Sequence, residues 1–405
     1  PQAVTALASA VPARMTAASM IRPEVAMSDR PATAEPAIRR FAPPARVTPL
    51  IPLAGPGKLA SPDAFFQRSF EQRQKFVDAM GGSKETESAV ARALAYLART
   101  QLQDGRWPFQ PGQRDSGRRG KNDMAITGLA ALCFLSGDHT PTKPGPYQQC
   151  VRKAVDYMVA RQKPDGDLRG GGDMYSQAIA TIAVAEAAAM TNDPTCRVAA
   201  IKAGRFIVNA QHPRTGGWRY QPGDPGDTSV FGWEVLALRS AARVGMTIPS
   251  RTRKLCFLWL DSVSRSRHKM LAGYQSPSHT LPMTAEAVIS RIFLGQRLTP
   301  EEVKEACDYI KFGARPKNDA CYYYWYYGSL ALAQMRNEAW EKWNAEMKRT
   351  LVRMQQRDGS WDERHSKRYG PRGGRIYATA LCALTLQVYY RYLPMYQPDH
   401  ADGGR

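Results

Sequence analysis

The 405 residues would fill two or three ordinary domains at about 150 residues each, unless internal repeats bind them into one body. With 43% hydrophobic and 23% charged residues the chain is neither disordered overall nor collagen-like, and no run of 18 apolar residues marks a membrane span. The excess of 56 Lys and Arg over 36 Asp and Glu gives +20, which favours an anionic partner or surface, but no helix gathers that charge as a nucleic-acid site would.

Residues 1–60 are rich in Ala, Pro, Arg and Met without periodicity and predict a disordered leader, and 397–405 predict a disordered tail. The chain begins at Pro1, which is compatible with a removed upstream signal or anchor, so compartment and oligomeric state stay open. From Ser61 to about residue 396 the sequence is organised by a recurring phrase: QLQDGRW from Gln101, QKPDGDL from Gln162, QHPRTGGW from Gln211 and QQRDGSW from Gln355. The intervals are 61, 49 and 144 residues, and 144 is three times 48, which leaves room for two repeats without the phrase, so six repeats fit the region.

Each phrase closes an amphipathic helix and precedes a helix of another kind. Before Gln355, the residues Trp340, Trp343, Met347, Leu351 and Met354 recur every three or four positions among Lys and Glu, giving one dry face. Val303, Ala306, Cys307 and Ile310 mark another such helix. The stretches Met124 to Gly137, Met174 to Ala185, Ala320 to Met335 and Ile376 to Tyr390 are nearly or wholly free of charge, and a helix apolar all round must be enclosed. Alternation of the two kinds predicts an all-α fold, a six-hairpin α/α toroid with charged helices outside and apolar helices inside. Inner helices are expected to open near Asp123, Asp173, Asp227, Met283, Ala320 and Arg375. An open superhelix is the competing arrangement, disfavoured because the last helix is among the most apolar.

The phrase itself reads as structural. Its Gly allows a positive φ, its Gln amide can satisfy backbone groups at a neighbouring helix end, and its Trp buries a large flat surface. Gln101, Trp107, Gln162, Gln211, Trp218, Gln355 and Trp361 are therefore assigned to the repeat framework and not to chemistry.

These phrases resemble the QW repeat of squalene-hopene cyclases, oxidosqualene cyclases and protein prenyltransferase β subunits over about Ser83 to Pro394. The segment from Gly216 to Leu238, with the Tyr323 to Met335 and Val388 to Tyr396 stretches, is similar to a bacterial branch of prenyltransferase and squalene oxidase repeat proteins. The resemblance implies a central apolar cavity that holds an isoprenoid chain, with terpene-cyclase-like or prenyltransferase-like chemistry. In squalene cyclases an Asp-x-Asp-Asp-Thr motif opens an inner helix and its middle Asp protonates an alkene. The matching stretch here is Asp224, Pro225, Gly226, Asp227, Thr228, so glycine stands at the donor position. Asp227 and Asp224 remain as the candidate catalytic acids, against the plainer alternative that Asp227 caps its helix and Asp224 shapes the loop.

Metal chemistry finds little support. The chain has no Asp-Asp pair for a magnesium-bound diphosphate, and its 7 cysteines show no Cys-x-x-Cys pair for a zinc knuckle or disulfide framework. Asp319 and Cys321 resemble two of the three zinc ligands of prenyltransferase β subunits, but Ala378 follows Tyr377 where that family places His. Neither metal nor cofactor is therefore expected. The expected ligand wall is aromatic: Tyr175, Trp233, Tyr323, Tyr327 and Tyr377, able to stabilise carbocations or stack on sugars. Three readings stand. The first is a toroid binding an isoprenoid or other long apolar molecule, with a membrane surface as a further partner; whether it catalyses is open. The second is a toroid acting on an acidic glycan held by Arg364, Lys367, Arg368, Arg372 and Arg375, and the third a protein-binding scaffold without catalysis.

Overall fold

The computed structural model describes residues 62–110, 121–311, 320–366 and 370–392; the expected leader 1–60 and tail 397–405 lie outside them. Six helices form an inner ring: α3 (Asp123–Ser136), α5 (Met174–Thr191), α7 (Thr228–Arg243), α9 (Leu281–Phe293), α11 (Tyr322–Met335) and α13 (Gly370–Leu386). Each packs on the next, and α13 packs on α3, so the ring closes. Six more surround it: α2 (Lys84–Thr100), α4 (Gln148–Ala160), α6 (Pro194–Ala210), α8 (Ser250–Ser262), α10 (Pro300–Ile310) and α12 (Glu338–Met354). The architecture is the six-hairpin α/α toroid expected from the alternation. No strand occurs among the described residues, and no described helix is long and apolar enough to cross a membrane.

Burial follows the sequence pattern. Every residue of α11, and every residue of α3 from Met124 onward, is buried, whereas α12 buries Trp340, Trp343, Met347 and Leu351 on one face. Two inner helices start slightly away from the expected positions. Thr280 precedes α9 with Pro282 in its first turn, and Cys321 takes the N-cap of α11. In α13 the helical run is broken at Gly374, whose φ of 82° lets the backbone pass close to the Gln110 carbonyl.

The recurring phrase ties four of the outer helices to their neighbours. Gln101 donates its amide to the Gly105 carbonyl at 2.8 Å and to Cys150 of α4 at 2.9 Å. Gln162 and Gln211 reach Ala199 of α6 and Thr252 of α8 in the same way, at 2.9 and 3.3 Å. Gln355 joins the last outer helix to the first, donating to Ala89 of α2 at 2.8 Å, and so closes the outer ring. Each Trp turns its indole N–H back onto its own outer helix: Trp107 to Leu97, Trp218 to Ile207 and Trp361 to Leu351, at 2.8, 2.8 and 2.9 Å. The glycine is needed because the backbones nearly touch. At Gly359, with φ 92°, a Cβ would stand 2.3 Å from the Arg92 carbonyl oxygen.

The far end of the ring, where the inner helices end, is covered by a 3₁₀ segment (Pro62–Arg68), α1 (Phe70–Met80) and α14 (Val388–Arg391). Arg68 is fully buried there, paired with Glu186 of α5 at 2.7 Å, and donates to the Arg391 carbonyl at 3.0 Å. Arg391 also pairs with Glu186, at 3.3 Å, and donates to Ser136 Oγ at 2.7 Å.

Candidate functional site

At the opposite end, the mouth formed by the helix N-termini, side chains from four successive inner helices meet. Asp227 is the N-cap of α7 and is fully buried. Its Oδ1 accepts from the Val230 N–H at 2.9 Å and from the Ser229 hydroxyl at 2.7 Å, while Oδ2 accepts from the Tyr274 hydroxyl at 3.0 Å. The Arg219 guanidinium stands 3.6 Å away. Burial pushes the Asp227 carboxyl above its ordinary range, and these donors pull it back toward ionisation. Outward from Tyr274, the Tyr220 hydroxyl lies at 2.9 Å with its ring 38% exposed, so a hydroxyl chain leads from solvent to the carboxylate. Inward, Tyr175 at the start of α5 bonds Ser229 Oγ at 2.6 Å.

Asp224 is separate from this network. Its carboxylate accepts from the Gln221 N–H at 2.9 Å and fixes the loop. Gly226 explains why the motif has no acid between the two. Its φ is 110°, and a Cβ would lie 2.8 Å from the Gly217 Cα and 2.9 Å from the Trp259 ring, outside the inner ring. No side chain fits that position, and one placed there would point away from the interior.

A second carboxyl, absent from the sequence-based candidates, lies deeper. Glu286 of α9 is fully buried and sits beside Gly232 of α7, where a Cβ would come within 2.2 Å of its Oε1. The Tyr323 hydroxyl of α11 is 2.6 Å from Glu286 Oε2 and 3.1 Å from the Ser229 carbonyl. One phenolic proton cannot serve both acceptors. Both contacts are satisfied when Glu286 carries the proton and donates to Tyr323, which donates onward to Ser229. Burial pushes the Glu286 carboxyl well above its ordinary range, with the nearby Asp227 charge acting in the same direction. Glu234, on α7, is buried with neither oxygen hydrogen-bonded, and burial raises it likewise. Asp227 and Glu286 are therefore two nearby carboxyls both raised by burial, Asp227 opposed by its hydrogen-bond donors and Arg219, and Glu286 raised further by the Asp227 charge.

The expected aromatic wall divides. Tyr175 and Tyr323 belong to the network just described. Trp233 stacks on Tyr326 at 5.6 Å and 12° and fills space between helices, while Tyr327 packs edge-on to both and also faces Glu286 beside Tyr323. Tyr377, half-buried on α13, packs against Gly373. The inner wall is also less free of charge than the stretches read from the sequence: α7 brings Glu234, Arg239 and Arg243 into the ring, and α9 brings Glu286 and Arg291. A carboxyl side chain within an enclosed inner helix was the available signal for Glu286. Of the residues compared with zinc ligands, Cys321 caps α11 and Asp319 lies outside the described residues.

Of the five cations proposed to hold an acidic glycan, Arg364 pairs with Asp362 at 2.6 Å and Arg375 with Glu363 at 2.6 Å. Lys367 and Arg368 lie outside the described residues, and Arg372 is exposed. Beside Arg375 a cavity of about 270 Å³ opens between the ends of α2 and α13, bounded by Tyr96, Leu102, Gln110 and Ile376.

No family model and no curated protein matches this chain. Solved structures do. The type II terpene cyclase MstE from Scytonema, as a variant in complex with geranylgeranyl dihydroxybenzoate, superposes with a TM-score of 0.53 at 13% identity, over 77% of this chain and 98% of that one. Its apo form gives 0.52 at 13% identity, over 77% and 100%. An inactive variant of the alpha-1,6-mannanase GH76A of Salegentibacter sp. HEL1_6, in complex with alpha-1,6-mannotriose, gives 0.53 at 8% identity, over 76% and 99%. The shared fold is the α/α toroid. At these identities the likeness carries the fold and no chemistry.

Proposed function

We propose that this toroid is a terpenoid-cyclase-like protein that binds an isoprenoid or other long apolar ligand at the aromatic inner face, admitted through the mouth beside Tyr220 and Tyr274. The observation that carries this reading is the neutral interior behind that mouth. Glu286 is buried among tyrosines with its carboxyl pushed well above the ordinary range, and the Arg219 guanidinium stays at the rim beside Asp227. An apolar ligand gains about 25 cal/mol per Å² buried against such a wall, and ring faces attract developing positive charge. With position 226 closed to any side chain, Glu286 is the acid in place for a protonation step, and Asp227 is a carboxylate held by its donors. The test is organic extraction of the purified protein and mass spectrometry, with squalene as the added probe at 0.1 M and 1 M salt. A retained prenyl or fatty chain, or squalene binding indifferent to salt, supports the reading. Failure of both to appear overturns it.

A carbohydrate reading is favoured by one observation, the exposed Tyr220 ring beside Tyr274 and Arg219 at the mouth, a surface suited to a pyranose face. The internal pairing of Arg364 and Arg375 weakens its acidic-glycan form. Titration with alpha-1,6-mannotriose and with a uronic-acid oligomer separates the neutral from the acidic version. Uronic-acid binding lost in salt, with no apolar ligand retained, replaces the first reading by this one.

A further inference from the structure

The covered end of the ring holds an imbalance of buried charge that the proposed ligand does not explain. Among the described residues four guanidiniums, those of Arg68, Arg239, Arg243 and Arg391, converge there on one carboxylate, Glu186. Glu186 divides its two oxygens between Arg68 and Arg391. The inner helices also end here, and the partial negative charge of their last carbonyls accounts for part of the excess. Arg68 donates to the Leu135 carbonyl at 3.4 Å and Arg239 to the Phe293 carbonyl at 3.4 Å.

Arg243 is not accounted for in this way. It is 9% exposed, its guanidinium lies 4.9 Å from the Phe65 ring centre, and it makes no hydrogen bond or ion pair among the described residues. A buried guanidinium with idle donors is costly unless something accepts from it. Burial and the neighbouring Arg68 charge lower the pKa of Arg243, and Arg239 is pushed down to about 9 by burial and by Arg243. Between Arg239 and Arg243 lies a cavity of about 10 Å³, lined also by Glu186, Ser240, Phe65 and Tyr392. That space suits one water-sized species and is too small for a phosphate or a carboxylate.

We propose that this cavity binds a single halide ion, held by the Arg243 and Arg239 guanidiniums, as the missing counter-charge of the cluster. A lone water would occupy the space and accept from Arg243 but would leave the charge excess unchanged. This inference is independent of the ligand reading at the mouth, since it concerns the other end of the ring and uses none of the same side chains.

Thermal unfolding of the whole protein in sodium chloride or bromide, against sodium gluconate at matched ionic strength, tests it. A saturable rise in Tm specific to halide is expected, roughly 5 °C at about 100 times Kd. In Arg243→Gln that rise should vanish, while the melting point in gluconate changes little. Equal melting in halide and gluconate, the result for a bound water only, overturns the proposal, as does a halide effect that survives Arg243→Gln. Where that variant fails to fold, bromide anomalous scattering from wild-type crystals decides: a peak between Arg239 and Arg243 supports the site, and its absence refutes it.

Discussion

The two ends of the inner ring are built from the same six helices and solve opposite electrostatic problems. At the mouth, helix N-termini meet carboxyls: Asp173 and Asp227 cap α5 and α7, as the positive ends of helix dipoles favour. At the far end, helix C-termini meet arginines. The difference lies in how the carboxyls behind these caps are treated. Glu286, behind the mouth, is surrounded by tyrosines and its carboxyl is pushed well above the ordinary range, whereas Glu186, at the far end, lies between two guanidiniums and its carboxyl falls below that range despite burial. Equal burial thus gives shifts of opposite sign, and the neighbours decide. Hydroxyls surround the one carboxyl, and guanidiniums the other.

Removing the charge at each end is the strongest test of that contrast. Glu186→Gln leaves Arg68 and Arg391 buried without their anion and should cost about 3–5 kcal/mol at pH 7. Because the folded state lowers this carboxyl, its contribution is present above the unfolded value near 4.5 and fades as pH falls through the folded value, so the variant should approach wild type in acid. Urea melts at pH 7 and pH 4 check this. A penalty that stays constant across that range would show that Glu186 acts through packing and not through charge.

At the mouth the repeated phrase holds the rim together with ion pairs such as Arg106–Asp123 and Arg375–Glu363. Trp361→Ala should cost about 3–5 kcal/mol, as for any large buried aromatic. Gln355→Ala removes the hydrogen bonds to Ala89 and Gly359 and should cost about 1–3 kcal/mol, mostly from stranded carbonyls at the seam between the last and first repeats. If Gln355→Ala is silent, the seam is closed by the inner helices alone.

Glu286→Gln should behave oppositely to Glu186→Gln. Between the unfolded value near 4.5 and the raised folded value, the native state keeps a proton that the unfolded chain releases. Stability then falls as pH rises, by about 1.4 kcal/mol per pH unit for this group. Glutamine removes that slope, so the variant should match wild type near pH 4.5 and exceed it at pH 7. A slope unchanged by the substitution would mean that Glu286 is ionised in the native state, and the contrast between the ends would fail.

The sequence made the rings legible and the two ends much less so. Alternation of one-sided and apolar helices depends on residues near each other in the chain, and so did the repeated Gln, Gly and Trp. The partnership of Glu286 with Tyr323 joins residues 37 positions apart, and that of Arg68 with Arg391 joins residues 323 apart. Nothing local marks such pairs. Arg68 stands in a segment just outside the expected leader, and its burial depends on α14 folding back over it. The empty position at Gly226 was visible as a missing acid, but its cause, the contact with Gly217 and Trp259, required the fold.

The smallest expected effect concerns Tyr274, whose hydroxyl links the exposed Tyr220 to Asp227. Tyr274→Phe keeps the ring and deletes one donor to Asp227 Oδ2, leaving the Ser229 hydroxyl and the Val230 N–H on Oδ1. Losing one such bond should cost about 0.5–1.5 kcal/mol. The ionised form loses the most, so the Asp227 carboxyl should rise further, measurable by carbon-13 titration of that side chain. Glu286 keeps its own contacts with Tyr323, so its protonation should not change. The ligand readings separate on the same variant. An apolar chain meets a ring in either case, and squalene retention should be unaltered, whereas a sugar hydrogen-bonded to that hydroxyl would lose affinity. A large fall in squalene retention would instead mean that the hydroxyl chain at the mouth, and not the neutral interior behind it, selects the ligand.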